Sequence, residues 1–257
     1  METAISSDPL LTASDPMAVE LHNAHVDSPV LLLCEHAGNH VPAKLHRLGL
    51  DETLLISHIA WDIGAEPLAR GLADRLQAPL IVQRYSRLVI DCNRPPDTAG
   101  SICATSDGVA VPGNARLDRA ARAARRQAIF DPLDRAIAEA FEANPIRAAF
   151  SIHTFTPVFG GQARPWHAGV LTRQDVALAQ AMMDHLAAQA PDLTLALNQP
   201  YQIDDASDWF IPQYAEPRGL RHALIEIRND LVQDQTGQDR WADLLAGAIR
   251  HGLEDRP

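Results

Sequence analysis

Side chains able to bind a metal or move a proton gather at a few short stretches of this chain. The first is Leu31-Leu-Leu-Cys-Glu-His-Ala-Gly-Asn-His-Val-Pro42, where an apolar run meets Glu35, His36, Asn39 and His40. Three more apolar runs end in polar groups: Arg87 through Asn93-Arg94, His153, and Glu226 with Arg228. Asp62 stands just before Gly64, ahead of an apolar helical stripe. Two histidines and a carboxylate are a usual ligand set for catalytic zinc, with a position left for water. A bound divalent ion lowers the pKa of that water, and a nearby glutamate can take the proton. Arginine presents a planar fork that grips a carboxylate in bidentate fashion.

Each signal alone also has a plain structural reading. His36 and its neighbours can form a polar loop facing water, and His153 can be a core histidine. His58 reads as a structural hydrogen-bonder, and Cys34 and Cys92 as small core residues. His40 follows His36 by four residues, but Ala37, Gly38 and Asn39 lie between. The general-base glutamate of a metalloprotease helix is missing there and glycine disfavours the helix, so that motif is rejected. No G-x-G-x-x-G, P-loop or G-x-S-x-G occurs, which disfavours dinucleotide, phosphoryl-transfer and serine-hydrolase chemistry.

The elements that must position these groups alternate along the chain. Short apolar runs at Leu31–Cys34, Leu80–Val82, Arg87–Ile90, Ala148–Ile152, Ala168–Thr172, Leu193–Leu197 and Ala223–Ile225 read as strands, those bounded by glycine and proline as buried parallel ones. Leu68, Leu72 and Leu76 stripe one helix. Val176, Ala179, Met183 and Leu186 stripe a second, and Trp241, Leu245 and Ile249 a third. Arg116 to Ala143 reads as helical with Pro132 marking a start. Pro95 to Asn114, rich in Pro, Gly, Ser, Asp and Thr, reads as a long binding loop. The alternation predicts an α/β fold with a mainly parallel sheet, whose ligands bind beyond the carboxyl ends of the strands. No repeat or linker divides the chain: residues 26–257 read as one domain and residues 1–25 as a flexible arm.

At 257 residues, 46% hydrophobic and 21% charged, the composition is that of a soluble globular protein. A net charge of -11 argues against a nucleic-acid surface. Three cysteines without C-x-x-C spacing argue against a disulfide framework and fit a reducing cytoplasm. Met1 to Glu20 lacks the basic and apolar regions of a signal peptide, and no run approaches a membrane span.

Several strings together resemble the N-formylglutamate amidohydrolase family. They are His36-Ala-Gly-Asn39 with Pro42, His58-Ile-Ala-Trp-Asp-Ile-Gly-Ala65, Tyr85-Ser-Arg-Leu-Val-Ile-Asp91 with Asn93-Arg-Pro95, and Ser151-Ile-His-Thr-Phe-Thr-Pro157. Arg164-Pro-Trp166, Asn198-Gln-Pro-Tyr201, and Ile225-Glu-Ile-Arg228 with Asp230-Leu231 complete the set, in the family's order. The resemblance implies a single α/β domain, a mixed, mainly parallel sheet flanked by helices, like zinc-dependent exopeptidases of the phosphorylase/hydrolase-like class. It implies hydrolysis of N-formyl-L-glutamate, or a related N-acyl amino acid, to formate and glutamate, a step associated with histidine degradation. It further implies Zn2+ held by His36, Asp62 and His153, with Glu226 as general base for the attacking water. Arg87 would polarise the scissile carbonyl, Asn93 and Arg94 would grip a substrate carboxylate, and Asn39 and Arg228 would complete the substrate site.

The chain departs from the family pattern twice. Pro132-Leu-Asp134 replaces a Pro-Tyr-His-like segment, and Gln213-Tyr214 stands where a histidine precedes the Arg-Gly segment. These departures motivate a second reading, a non-catalytic or substrate-shifted carboxylate-binding protein on the same fold.

Overall fold

The apolar runs become the middle of one seven-stranded sheet in the computed structural model, which describes residues 9–254. The strands are β1 (Val19–His22), β2 (Val30–Cys34), β3 (Leu80–Gln83), β4 (Ala148–Phe155), β5 (Ala168–Leu171), β6 (Leu195–Leu197) and β7 (Arg221–Arg228). Their order is β1-β3-β2-β4-β7-β5-β6. Strands β3, β2, β4 and β7 run parallel to one another. Antiparallel β1 closes one edge, and the parallel pair β5 and β6 joins β7 antiparallel at the other. The sheet is therefore mixed and mostly parallel. The central strands are buried on both faces, which is why they read as continuous apolar runs.

Four longer helices flank it: α1 (Ala65–Leu76), α2 (Asp131–Ala143), α3 (Val176–Gln189) and α4 (Gln235–Glu254). Successive side chains on a strand point to opposite faces. Leu32, Phe150, Ile152, Ile225 and Ile227 accordingly enter a core with Leu68 and Leu72 of α1, Met182 and Leu186 of α3, and Trp241 and Leu245 of α4. Leu31, Leu33, Ala149 and Leu224 face the other way, toward Phe130, Phe210, and Leu133 and Ile137 of α2. One sheet with a core on each side makes a single α/β domain. Among the described residues no helix is long and apolar enough to cross a membrane.

Four expectations change. The N-terminal arm is tied down where it is described: β1 pairs with β3, Tyr85 Oη donates to the Pro16 carbonyl at 2.6 Å, and Asp15 meets His40 at 3.1 Å. Residues 1–8 lie outside the described part. Arg87–Ile90 is a turn and not a strand. Ser86 Oγ donates to the Ala60 carbonyl at 2.8 Å and the Ser86 carbonyl accepts from Val89 N at 2.8 Å, so the backbone is folded back while its apolar side chains stay buried. The long helical stretch starts at Asp118, whose carboxylate accepts from Ala121 N at 2.7 Å. It passes through a wider helical turn at Arg126–Phe130 before Pro132 enters the first turn of α2. On α3 the buried stripe is Leu178, Ala179, Met182 and Leu186, and Val176 is exposed.

Candidate active site

Parallel register places the chemistry. His153 lies beside Glu226 on adjacent strands β4 and β7, and Leu33 lies beside Ser151, so Glu35, two residues beyond Leu33, shares the face of Ser151 and His153. His36 follows Glu35 where the chain leaves β2. The next turn passes so close to β3 that a Cβ on Gly38 would stand 1.9 Å from the Arg84 carbonyl oxygen, so only glycine fits. Asp62 is brought in by its backbone N–H, which donates to the His36 carbonyl at 3.0 Å. Gly64, at φ +82°, then turns the chain into α1.

The ligand-type atoms of His36, Asp62 and His153 all lie within 4.8 Å of one another, and all three side chains are buried. His36 Nε2 donates to Asp91 Oδ1 at 2.7 Å. Ser151 Oγ donates its one proton to Glu35 at 2.7 Å, so it accepts from His153 Nε2 at 2.7 Å, with Glu35 itself 3.3 Å away. Both imidazoles thus carry hydrogen on Nε2 and turn Nδ1 toward Asp62 Oδ2, at 3.4 Å for His36 and 2.8 Å for His153. Three acceptors facing one another repel unless a proton or a cation lies between them. Burial opposes charge on His153, but Glu35 and Asp62 outweigh it and hold its pKa well above the usual value. His36 is raised too, with Asp91 and Asp62 overcoming burial and the Arg87 charge.

A divalent metal fits this donor set. The orphaned Nδ1 of His36 has no hydrogen-bond partner, and each imidazole is oriented from behind, His36 by the Asp91 carboxylate and His153 by the Ser151 hydroxyl that Glu35 holds, the usual kind of support for histidine ligands. Glu226 sits beside the set without a hydrogen bond, its Oε2 buried and unpartnered. Burial, with Asp62 adding and the His153 charge opposing, pushes its carboxyl up to about 8.

A cavity of about 550 Å³ opens over these groups and is also lined by Arg87, Asn93 and Arg94. Arg87 is braced by Asp91 at 2.8 Å and Asp62 at 3.3 Å, and its pKa is raised, burial being outweighed by those carboxylates. Asn93 Nδ2 donates to Asp208 at 3.2 Å while its Oδ1 accepts from Trp209 N, so the amide is spent on holding the wall. Arg94 touches Asp91 only through Nε, at 3.3 Å, and its two terminal nitrogens meet no acceptor among the described residues.

Two expected substrate residues fall elsewhere. Asn39 does not line the cavity: its Nδ2 donates to the Leu55 carbonyl at 3.2 Å, the free end of a one-turn helix. Arg228 ends β7 past the cavity, paired with Asp230 at 2.8 Å and reaching the backbone of Pro165 and Trp166. Sequence reasoning missed Ser151 and Asp91 as supports, and noticed Glu35 without giving it that role. Spacing by two on a strand points to Ser151 from His153. Asp91 and Ser151 sit inside the recognised strings and Glu35 immediately precedes the first, and only the tertiary pairing shows which histidine each carboxylate serves. The departures Asp134 and Tyr214 meet each other, Tyr214 Oη donating to Asp134 at 2.6 Å beside Trp209 Nε1 at 2.9 Å.

The family model for N-formylglutamate amidohydrolase matches residues 28–233. Among solved structures the chain is similar to gene product Atu2144 from Agrobacterium tumefaciens, with 37% identity over 95% of this chain and 98% of that one and a TM-score of 0.90. It shares its fold with an N-formylglutamate amidohydrolase from Ralstonia eutropha, with 17% identity over 93% of this chain and 98% of that one and a TM-score of 0.67. No curated protein sequence matches it. The family match spans β2 through the end of β7, every element that brings a side chain to the cavity, and on that ground the chain belongs to the N-formylglutamate amidohydrolase family.

Proposed function

We propose that this protein is a zinc-dependent amidohydrolase that cleaves N-formyl-L-glutamate, or a related N-acyl amino acid, to the free acid and the amino acid. The observation that carries the reading is the convergence of His36 Nδ1, His153 Nδ1 and the Asp62 carboxylate, with unpartnered Glu226 beside them. Zn2+ held by those three residues would supply a Lewis acid that acidifies a water and polarises the amide carbonyl. Glu226 takes the proton of the attacking water as the new C–O bond forms, then returns it to the nitrogen as the C–N bond breaks. Arg87, locked by Asp62 and Asp91, has N–H groups left over on Nη1 and Nη2 to hold the developing oxyanion. Arg94 offers its unoccupied terminal nitrogens to a substrate carboxylate.

A substrate-shifted or non-catalytic carboxylate binder on the same fold is the second reading. One observation favours it: Asp134 reaches the cavity wall through Trp209, whose backbone N–H is held by Asn93. The test is formate release from N-formyl-L-glutamate, alongside release from a panel of other N-acyl amino acids, before and after chelation. Turnover that chelator abolishes and zinc restores is expected. Metal-loaded protein with no turnover on any N-acyl amino acid sinks the proposal in favour of the second reading.

A further inference from the structure

One buried cation has no part in the chemistry described so far. Arg125 ends the helix Arg119–Arg125 and is only 2% exposed. Its hydrogen bonds go to neutral oxygens alone. Nη1 donates to the Val89 carbonyl at 3.0 Å and to Asn114 Oδ1 at 2.6 Å, and Nη2 donates to the Gly113 carbonyl at 3.0 Å. Its Nε is buried without a partner. Burial, with the Arg122 charge adding to it, pulls its pKa down to about 10, so it stays charged at neutral pH. Burying a charge with no counter-ion costs free energy that a packed apolar side chain would not. What a guanidinium offers in return is a rigid fork of donors that holds several carbonyls at fixed angles.

The carbonyls held this way belong to the turn at Arg87–Ile90. Asn114, itself 3% exposed, donates from Nδ2 to the Leu88 and Cys103 carbonyls, both at 2.8 Å, while Arg125 fixes its Oδ1. Hydrogen bonds to the Ala60 carbonyl anchor the start of the turn. Asp91 N–H anchors its end on the Ser101 carbonyl at 2.7 Å. The Leu88 and Val89 carbonyls in the middle answer to Asn114 and Arg125. On either side of that middle stand Arg87, the proposed oxyanion holder, and Asp91, which braces it and orients His36. Leu88 and Cys103 both line the cavity, so one buried clamp ties the turn to the loop that forms the neighbouring wall.

We propose that Arg125, with Asn114, is a positioning residue of this site, a buried clamp that sets Arg87 and Asp91 against the metal-ligating groups. This rests on the hydrolase reading of the same cavity and adds to it the source of the turn's precision. A merely structural Arg125 would lower stability and leave the chemistry of the folded protein unchanged.

The test compares the metal-loaded wild type with two variants. Arg125→Lys keeps the charge and loses the fork. Asn114→Asp gives Arg125 a carboxylate and takes the amide donors from Leu88 and Cys103. Urea unfolding supplies the folded fraction of each. Per folded molecule, kcat on an N-acyl amino acid that the wild type cleaves is expected to fall by about 10²-fold in both. That is the cost of moving a catalytic group by about 1 Å, and KM changes little. Zinc affinity, in competition with a chromogenic chelator, is expected to weaken by roughly 10-fold through Asp91 behind His36. A kcat at the wild-type value, whether or not KM or stability moves, overturns the clamp. Should Arg125→Lys fail to fold, Asn114→Asp decides alone. Where the wild type turns over no N-acyl amino acid, zinc affinity takes the place of kcat. Weaker zinc binding in the variants then upholds the clamp although the proposed reaction has failed, and wild-type affinity overturns it.

Discussion

On strands β2, β4 and β7 neighbouring residues point to opposite faces of the sheet, and the two faces differ in kind. Toward α1, α3 and α4 the strands present Leu32, Phe150, Ile152, Ile225 and Ile227, every one apolar and buried. On the other parity Leu31, Leu33, Ala149 and Leu224 pack under α2, and toward the carboxyl ends of the strands Ser151, His153 and Glu226 follow, with Glu35 where the chain leaves β2, equally buried but polar. The dry face is held by burial of apolar area. The polar face costs free energy to bury and persists because each member but Glu226 and one histidine nitrogen has a partner. Chemistry is thus confined to one residue parity and to the carboxyl ends of the strands, and substitutions one position apart there fail in different ways.

Glu226→Gln gives the largest separation of the two faces. The rate of amide hydrolysis falls by about 10²–10⁴-fold, the range of a general base, while bound zinc measured by metal analysis stays at the wild-type level. An unchanged rate removes Glu226 from its role. Phe150→Ala is the counterpart on the dry face: denaturant unfolding shows a loss of about 3–5 kcal/mol, and kcat of the protein still folded is unaltered. A fall in kcat at constant folded fraction would mean that the faces are not separable.

Asp91→Asn probes the support behind His36. A neutral amide can still meet Nε2 but no longer fixes its hydrogen there, so zinc affinity in a competition with a chromogenic chelator weakens by roughly 10–100-fold. The smallest effect concerns the metal-free protein. Glu226 is pushed up to about 8 when folded, above its ordinary value of 4.5, so between those values the folded state holds a proton that the unfolded state has released. Stability then falls as pH rises through that window, and Glu226→Gln removes the slope. The stability gap between variant and wild type, measured by urea unfolding, widens from pH 5 to pH 8; a constant gap means that Glu226 is already ionised.

The dry face was the more legible of the two in the sequence. Its parallel strands announce themselves as apolar runs, and α1 and α4 as stripes at helical spacing, because burial repeats a simple period. Arg87–Ile90 misled for the same reason: a buried turn shows the apolar run of a strand, and Ser86 decides the matter through a hydrogen bond to Ala60 that is distant in sequence. The polar face was legible residue by residue, and His36, Asp62, His153 and Glu226 do converge. Their pairing was not. Glu35 serves His153 and Asp91 serves His36, across 118 and 55 positions respectively, which no local spacing encodes. Asn39 and Arg228 drew notice by adjacency to the right residues, whereas the side chains answer to the nearest free carbonyl and carboxylate.

Strand β1 carries a practical consequence. The family match covers residues 28–233, so it begins after β1 and stops before α4. A protein trimmed to that span would bare the hydrogen-bonding edge of β3, an invitation to pair with other chains. It would also strip Trp241, Leu245 and Ile249 from the dry core. The stretch that the family model matches is therefore smaller than the stretch that folds, and a protein cut to it would aggregate with every site residue still in its sequence.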